Sequence, residues 1–320
     1  MEKDLWYDYF IESLYKKYPK RTQLLETLMD LLCLEREAVY RRLRKEVMFT
    51  THEVAKIAST WNISLDKIMG IKAHKVLFQM QSVNYLMPSK EDMNFIRKRV
   101  QDLKQLKESS RSEYILVCNI LSRSFCAGFE HLYKFNIFKW AYQYHNGRQN
   151  VPYSQTVIQE DFRNEITTYY RCMKDVTHTS YILDKTLFDD LIHEIQFYHS
   201  ILLITDEDKE CIKKDLNALL DYLLEVANTG CFPETKNKVH IYVSTLNINT
   251  NYSYFNTGDT ESCRIHPFNM YDIITYDSEM IENFKEWLLL KKRTSIQISE
   301  VDERNRIEFF AKQRQLIKDL

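Results

Sequence analysis

Signals that start and stop helices follow one another closely over the first seventy residues and limit this part of the chain to short helices. The boundaries are marked by a proline, two capping residues and a glycine: Pro19, Thr50, Ser64 and Gly70. Between these marks apolar residues recur at helical spacing, as they do from Thr22 to Leu32. Glu53 follows Thr50 at the spacing of a capping box. We therefore predict a compact bundle of five short helices.

The third of these helices, predicted over residues 35–45, has one apolar and one basic face. Leu34, Val39 and Leu43 stand five and four residues apart, which places them on the side that packs against the second helix. The opposite side is polar and mostly basic, with Arg36, Glu37, Tyr40, Arg41 and Arg44. A helix-turn-helix presents its second helix to DNA in this way, so the pattern predicts a recognition helix that binds double-stranded DNA.

The position of each side chain on this helix suggests what it contacts. The first turns of a recognition helix face base edges in the major groove, where an arginine can bind guanine bidentately. The predicted base contacts are Arg36, Glu37, Tyr40 and Arg41. Side chains at the helix ends and in the turns are better placed to bind phosphates, which set the register without reading sequence. The predicted phosphate contacts are Lys20, Arg21, Arg44, Lys45, Thr50 and Thr51.

The distribution of charge agrees with DNA binding, although the net charge of −1 does not suggest it. Residues 1–75 contain 14 Lys or Arg and 11 Asp or Glu, an excess of +3, and the rest of the chain has a balance of −4. Phosphate attraction acts over about a Debye length, so a local basic face matters more than the total.

Residues 34–70, LEREAVYRRLRKEVMFTTHEVAKIASTWNISLDKIMG, resemble the lambda-repressor-like (Xre/Cro type) DNA-binding domain. The most specific part is the ending, in which a capped helix is followed by the turn and short helix of WNISLDKIMG. The resemblance covers about residues 5–70 and implies a five-helix domain, docking of the third helix in the major groove, and a dimer on a two-fold operator. The chain departs from the family at Leu43, which follows Leu34 by nine residues rather than eight. It also has Lys45 and Glu46 where a glycine is common.

Composition and periodicity predict a mainly α protein with three regions. Residues 1–72 form the helix-turn-helix domain, residues 73–110 a connector with a linker helix, and residues 111–320 a C-terminal α+β domain. The linker helix has an apolar stripe that fits either docking on a surface or a dimer seam. In the last region the residue pattern predicts mostly helices up to about residue 230. The β-branched and aromatic residues from 239 to 276 then predict a small antiparallel sheet.

Motifs for catalysis and cofactor binding are absent from the sequence. None of the five glycines belongs to a GxGxxG, P-loop or GxSxG motif. His193 is followed by the next histidine at His199, a spacing of six where a zinc protease helix needs four. The seven cysteines include no CxxC pair and fit reduced thiols of a cytoplasmic protein. We therefore expect no enzyme activity, no catalytic residues, no metal and no cofactor, and no membrane association.

The aromatic residues of the C-terminal region are compatible with a second binding site. The cluster formed by Tyr133, Phe135, Phe138, Trp140, Tyr142 and Tyr144, or the pair Tyr169 and Tyr170, fits either core packing or the wall of a ligand pocket. A second place for a pocket is the β-rich segment, with Asn247, Asn249, Asn251 and Tyr254.

The sequence thus favours a homodimeric transcription regulator that reads DNA with helix 35–45. Its C-terminal domain would serve dimerisation and the sensing of an unidentified small-molecule effector. Two alternatives remain: an effector enzyme that carries its own helix-turn-helix, and a protein-interaction scaffold whose helix-turn-helix has lost DNA binding. The enzyme predicts a metal or nucleotide site in residues 110–320, and the scaffold predicts an acidic or apolar third helix.

Overall fold

The computed structural model divides the chain into two compact units, residues 1–75 and residues 76–320. The structure describes residues 5–61, 63–68, 76–106, 111–144, 151–268 and 271–320. Each unit has hydrophobic clusters of its own.

The described residues of the first unit form five helices. They are α1 (Leu5–Lys17), α2 (Arg21–Leu32), α3 (Arg36–Leu43), α4 (Thr51–Trp61) and α5 (Leu65–Ile68). Their core is aliphatic and aromatic, with Phe10, Leu14, Leu28 and Ile57 fully buried. Burial of this apolar surface stabilises helices that are too short to be stable alone. The helices occupy the segments that the boundary residues predict, and Gly70 lies outside the described residues.

The second unit is built on one mixed sheet. Its described strands are β1 (Gln79–Ser82), β2 (Glu113–Cys118), β3 (His178–Leu183), β4 (Lys238–Ser244), β5 (Asn251–Asn256), β6 (Glu261–Phe268), β7 (Tyr271–Thr275) and β8 (Ser295–Gln297). Their order is β1-β7-β6-β5-β2-β3-β4-β8. The central strands β2, β3 and β4 are parallel, and the remaining neighbours are antiparallel.

The sheet is larger than the small antiparallel one that the sequence predicts. The strands expected between residues 239 and 276 are present, but β2 and β3 lie in the region predicted to be helical. Leu116, Val117 and Cys118 at the end of β2 are fully buried in succession, because helices cover both faces of the sheet. A strand buried on both faces has no alternation of polar and apolar residues, so periodicity does not distinguish it from a buried helix.

Eight helices are described around this sheet. They are α6 (Lys90–Gln105), α7 (Arg123–Cys126), α8 (Glu130–Tyr144), α9 (Glu160–Met173), α10 (Asp189–Ser200), α11 (Asp206–Thr229), α12 (Ser278–Arg293) and α13 (Glu303–Asp319). Helix α12 covers one face, where Phe284 and Leu288 pack on Ile115 and Val117 of β2. The other helices contribute to the clusters that include the opposite face of β2.

The predicted connector, residues 73–110, is part of the second unit from residue 76 onward. β1 pairs with β7, and Ile96, Val100 and Leu103 of α6 are buried in a cluster shared with α9. The apolar stripe of α6 is therefore used within the unit and does not form a free seam. No helix of the described residues is long and apolar enough to cross a membrane.

Candidate nucleic-acid interface

A tight turn with one left-handed residue joins α2 to α3. Cys33 follows α2 with φ 54°, and its amide donates to the carbonyl of Met29. The amide of Leu34 donates to the same carbonyl at 3.3 Å. Glu35 is extended, and α3 begins at Arg36. Two helices are thus connected within three residues, which is the local geometry that a helix-turn-helix requires.

The inner face of α3 packs on the core of the first unit. Val39 is fully buried and Leu43 is 8% exposed, in a cluster with Leu24 and Leu28 of α2. Leu34, the third residue predicted on this face, lies in the turn and is half-buried. Val39 and Leu43 stand one helical turn apart, so these two positions are sufficient to seat the helix on α2.

The outer face of α3 carries exposed basic side chains around one tyrosine. Arg36, Glu37, Arg41 and Arg44 are exposed, and Tyr40 is half-buried between two of them. The Arg36 and Arg44 guanidinium carbons lie 6.0 and 5.3 Å from the centre of the Tyr40 ring. Cation–π contacts of this kind limit the freedom of both arginines without neutralising their charge.

Arg42 has a different role from its neighbours, and the sequence analysis did not distinguish it. Its Nε and Nη2 atoms each donate to the Glu53 carboxylate at 2.9 Å, and Nη1 donates to the carbonyl of Ala38 at 3.0 Å. Both partners are largely buried, with 15% and 12% of their side chains exposed. No sequence pattern links position 42 to position 53, so only the folded structure identifies the pair.

Glu53 also forms the capping box that the sequence predicts at the start of α4. Its carboxylate accepts from the amide of Thr50 at 2.8 Å, and its own amide donates to the Thr50 hydroxyl at 3.3 Å. Burial works against ionisation of Glu53, but the hydrogen bonds from Arg42 and Thr50 outweigh it, and the pKa of the carboxyl lies below its usual range. One ionised carboxylate thus connects α3 to α4.

Helix α3 ends without a glycine. Lys45 adopts a left-handed conformation with φ 64°. The amide of Glu46 donates to the carbonyl of Arg41 at 2.9 Å, and the amide of Lys45 donates to the carbonyl of Arg42 at 3.0 Å. These bonds form a Schellman motif, which ends the helix at the same place as a glycine would. The Lys45 ammonium is paired with Asp8 of α1.

Glu46 lies beside the exposed arginines of α3. Its carboxylate is 3.6 Å from Arg41 and 3.8 Å from Arg44, and all three side chains are about half exposed or more. Ion pairs this exposed contribute little free energy and are screened by salt. They therefore leave both arginines available to a phosphate or a base.

The remaining predicted phosphate contacts lie at two helix starts. Lys20 precedes α2 and makes no side-chain capping hydrogen bond, and Arg21 lies over the ring of Tyr15 at 5.6 Å. Both side chains are exposed. The hydroxyl of Thr50 accepts the capping hydrogen bond of α4, and Thr51 is exposed in the first turn. The first amide groups of α2 therefore have no side-chain acceptor from the capping residue, whereas α4 has its own.

A buried tyrosine that the sequence analysis did not single out holds the loop between α3 and α4. The amide of Phe49 donates to the Tyr7 hydroxyl at 2.9 Å, and this hydroxyl donates to the carbonyl of Arg42 at 3.3 Å. Burial raises the pKa of Tyr7, which keeps its hydroxyl protonated as the donor in this bond. The end of the basic helix is thus fixed from α1 as well as from α4.

Comparisons of this chain with known protein families, with curated proteins and with solved structures found no match. Among the described residues there is no group of three or more His, Cys, Asp or Glu that could hold a metal ion.

Proposed function

We propose that the first unit binds double-stranded DNA and that the chain is a sequence-specific transcription regulator of the lambda-repressor-like type. The observation that carries this proposal is that the arginines of α3 differ in exposure and in their partners. Arg42 is used inside the fold with Glu53, whereas Arg36 and Arg41 are exposed and lack a strong carboxylate partner among the described residues. An interaction scaffold that had lost DNA binding would have no reason to keep this face basic.

The start of α2 supports the same proposal. Its capping residue, Lys20, leaves the first amide groups of the helix without a side-chain acceptor, and Lys20 and Arg21 add two exposed positive charges. A helix N-terminus of this kind binds phosphate through its amides and its dipole. A phosphate of the DNA backbone is the acceptor we propose, with α3 in the adjacent major groove. Arg44, Thr50 and Thr51 would contact further phosphates, and Lys45 would do so after leaving Asp8.

The proposal assigns base reading to Arg36, Glu37, Tyr40 and Arg41. An arginine that binds guanine bidentately contributes about 1–3 kcal/mol of discrimination, and a glutamate accepts from the amino group of cytosine. We propose that the chain acts as a homodimer, because the two-fold operators of this type of domain have half-sites about one turn of DNA apart. A footprint with two half-sites roughly 10 base pairs apart is therefore expected.

The experiment is selection of a preferred sequence from random DNA with the full chain, followed by binding of variants to the selected and to a scrambled duplex. Arg41→Ala should lower the affinity for the selected duplex more than for the scrambled one. Lys20→Ala should weaken both equally, because a phosphate contact carries no sequence information. Arg171→Ala, an exposed arginine on α9 in the second unit, is the matched control and should change neither. Equal losses on both duplexes for Arg41→Ala would refute the assignment.

A further inference from the structure

A cavity of about 370 Å³ lies in the second unit, at the end of the parallel strand β2. Asn119 follows β2 and lines the cavity, as do Asn251 at the start of β5, His266 on β6 and Asp272 on β7. We call this space the strand-end cavity. In open sheets with parallel strands, ligands bind beyond the carboxyl ends of the strands where the connections diverge. β2 meets this condition, since its neighbour β3 is parallel and its neighbour β5 is antiparallel.

Charged side chains converge on the strand-end cavity from four helices and two strands. The cations are Arg99 of α6, Arg123 of α7, Lys139 of α8 and Arg264 of β6, and the carboxylates are Glu194 of α10 and Asp272 of β7. The wall therefore has four cationic and two anionic side chains, with His266 left out of the count. This local excess is positive although the chain beyond residue 75 carries more acidic than basic residues.

Both carboxylates are already paired. Lys139, which is 6% exposed, donates to Glu194 at 2.6 Å. Arg123 donates to Asp272 at 2.9 Å, and these two side chains are each 14% exposed. Burial works against ionisation of Asp272, but Arg123 and His266 hold its pKa well below the ordinary value. These pairs neutralise two of the four cations and leave Arg99 and Arg264.

Asp272 also ends a row of hydrogen bonds with His266 and Ser253. His266 Nδ1 lies 2.7 Å from the Asp272 carboxylate, and its Nε2 lies 3.2 Å from the Ser253 hydroxyl. The order of atoms is that of a serine hydrolase triad. Here the carboxylate also accepts a hydrogen bond from Arg123. The row therefore fixes Asp272 and His266 in place.

Among the described residues neither Arg99 nor Arg264 has a carboxylate within ion-pair distance, although Asp272 is near enough to raise the pKa of Arg264. Nε of Arg264 is buried and makes no hydrogen bond, and the same is true of Oδ1 of Asn119. Arg99 lies over the ring of Tyr169 at 5.7 Å. Burial raises the pKa of Tyr169, yet Arg99 and Arg264 outweigh it and lower the pKa below the ordinary value of a tyrosine. Arg264 is desolvated and shares the charge of Asp272 with Arg123, and Arg99 is half-exposed. An anion bound between them would give both guanidinium groups a partner of their own.

The walls of the strand-end cavity are aromatic. Tyr114, Tyr169, Tyr170 and Phe255 line it, and the rings of Tyr169 and Tyr170 meet edge to face at 5.0 Å. The volume falls within the range of small-molecule sites, roughly 300–1,000 Å³. Of the aromatic groups that the sequence left open, Phe135 and Phe138 are buried in the core, whereas the tyrosine pair faces the cavity.

We propose that the strand-end cavity binds a small organic anion with a doubly charged oxyanion group, held by Arg99 and Arg264, and a planar ring, packed against the tyrosines. Guanidinium groups bind phosphate and carboxylate bidentately, so a phosphate monoester and a ring with two adjacent carboxylates share the required chemistry. This site would be the sensing site of the chain. Its occupancy does not depend on whether the first unit binds DNA.

The test is binding to the full chain, measured by calorimetric titration and by thermal unfolding. The probes are phenyl phosphate, phthalate and inorganic phosphate, and phenol is the neutral control with the same ring. We expect phenyl phosphate to raise the midpoint of unfolding by about 5 °C when it is well above its dissociation constant, and phenol to leave the midpoint unchanged. A stronger effect of phenyl phosphate or of phthalate identifies the oxyanion as phosphate or dicarboxylate.

Two variants tie the binding to the two arginines. Arg264→Gln should weaken phenyl phosphate or phthalate at least about tenfold, since a hydrogen bond to a charged group is lost. Arg99→Gln, at a half-exposed position, should do the same and remains informative if Arg264→Gln does not fold. Arg97 lies on the same helix as Arg99, is exposed and pairs with Glu165 outside the cavity. The control variant Arg97→Gln should therefore bind the anions as the wild type does. Failure of all three anions to bind at millimolar concentration, or binding that survives both arginine substitutions, would overturn the proposal.

Discussion

Arg41 and Arg42 are adjacent in the sequence but differ in what they contribute. Arg42 is largely buried and bridges to Glu53, whereas 54% of the Arg41 side chain is exposed. Arg42→Ala should lower the local stability of α3 and α4 by about 1–3 kcal/mol, because it leaves the largely buried carboxylate of Glu53 without its partner. Arg41→Ala should change it by less than about 0.5 kcal/mol. Hydrogen exchange of the α3 and α4 amides in the full chain measures both, and equal effects would contradict the separation of the two roles.

Glu53 predicts a pH dependence with a definite sign. Its pKa is lowered in the folded state, so its contribution is present above the unfolded value of about 4.3. That contribution is lost as the pH falls through the lower, folded pKa. The difference in the free energy of unfolding between the wild type and Glu53→Gln should therefore shrink as the pH falls from 7 to 3, since a protonated glutamate resembles glutamine. Because the wild type and Glu53→Gln share all other titratable groups, the titration of those groups cancels in this difference. A constant or growing difference would show that the charge of Glu53 is not what connects α3 to α4.

At the scale of single elements, the turn between α2 and α3 carries strain that a substitution can remove. Cys33 is exposed and left-handed, a conformation that costs roughly 1–2 kcal/mol for a residue other than glycine. Cys33→Gly should stabilise the chain by about 0.5–1 kcal/mol once the extra entropy of an unfolded glycine is subtracted. Glu26→Gly, at an exposed position inside α2, should destabilise by a similar amount. Denaturant unfolding gives the free energy of unfolding of both variants. A lower value for Cys33→Gly than for the wild type would show that the turn is not strained at Cys33.

The helices of the first unit were predictable because residues close together in the sequence mark where each helix begins and ends. The capping residues Thr50 and Glu53 act over three positions, and they form the hydrogen bonds that their spacing predicts. The sequence shows Lys45 at the end of the third helix, but it does not show the Schellman motif that Lys45 forms there. The conformation is fixed by backbone bonds to Arg41 and Arg42 and by the ion pair with Asp8 of α1.

The second unit was less predictable because its sheet depends on contacts between distant residues. β2 pairs with β5 across more than a hundred residues, with Val117 opposite Tyr252. Such pairing leaves little trace in local composition when the strand is buried on both faces. The strand-end cavity has the same origin. Nothing in the sequence distinguishes Arg99 or Arg264, and only the packing of α6 and α9 beside β6 brings both to the same tyrosine.

At the scale of the whole molecule, the two units have separate hydrophobic cores and net charges of opposite sign. Each core satisfies the condition for folding as a domain, so calorimetry of the full chain should show two transitions. A duplex with the selected sequence should raise only the transition of the first unit, and phenyl phosphate only that of the second. Arg42→Ala identifies the first transition by lowering it. A single transition that both ligands raise would show that the units fold as one.

The most direct test of the account is the affinity of the full chain for its selected DNA duplex, measured over a series of salt concentrations. The basic face of α3 and the start of α2 predict a steep fall in affinity with salt, because phosphate contacts release counterions. Removing one phosphate contact with Lys20→Ala should reduce the slope of log affinity against log salt by about 1. Arg42→Gln is not a suitable probe, since it disturbs the fold. No binding at low salt, or a slope near zero, would contradict the proposal that α3 reads DNA.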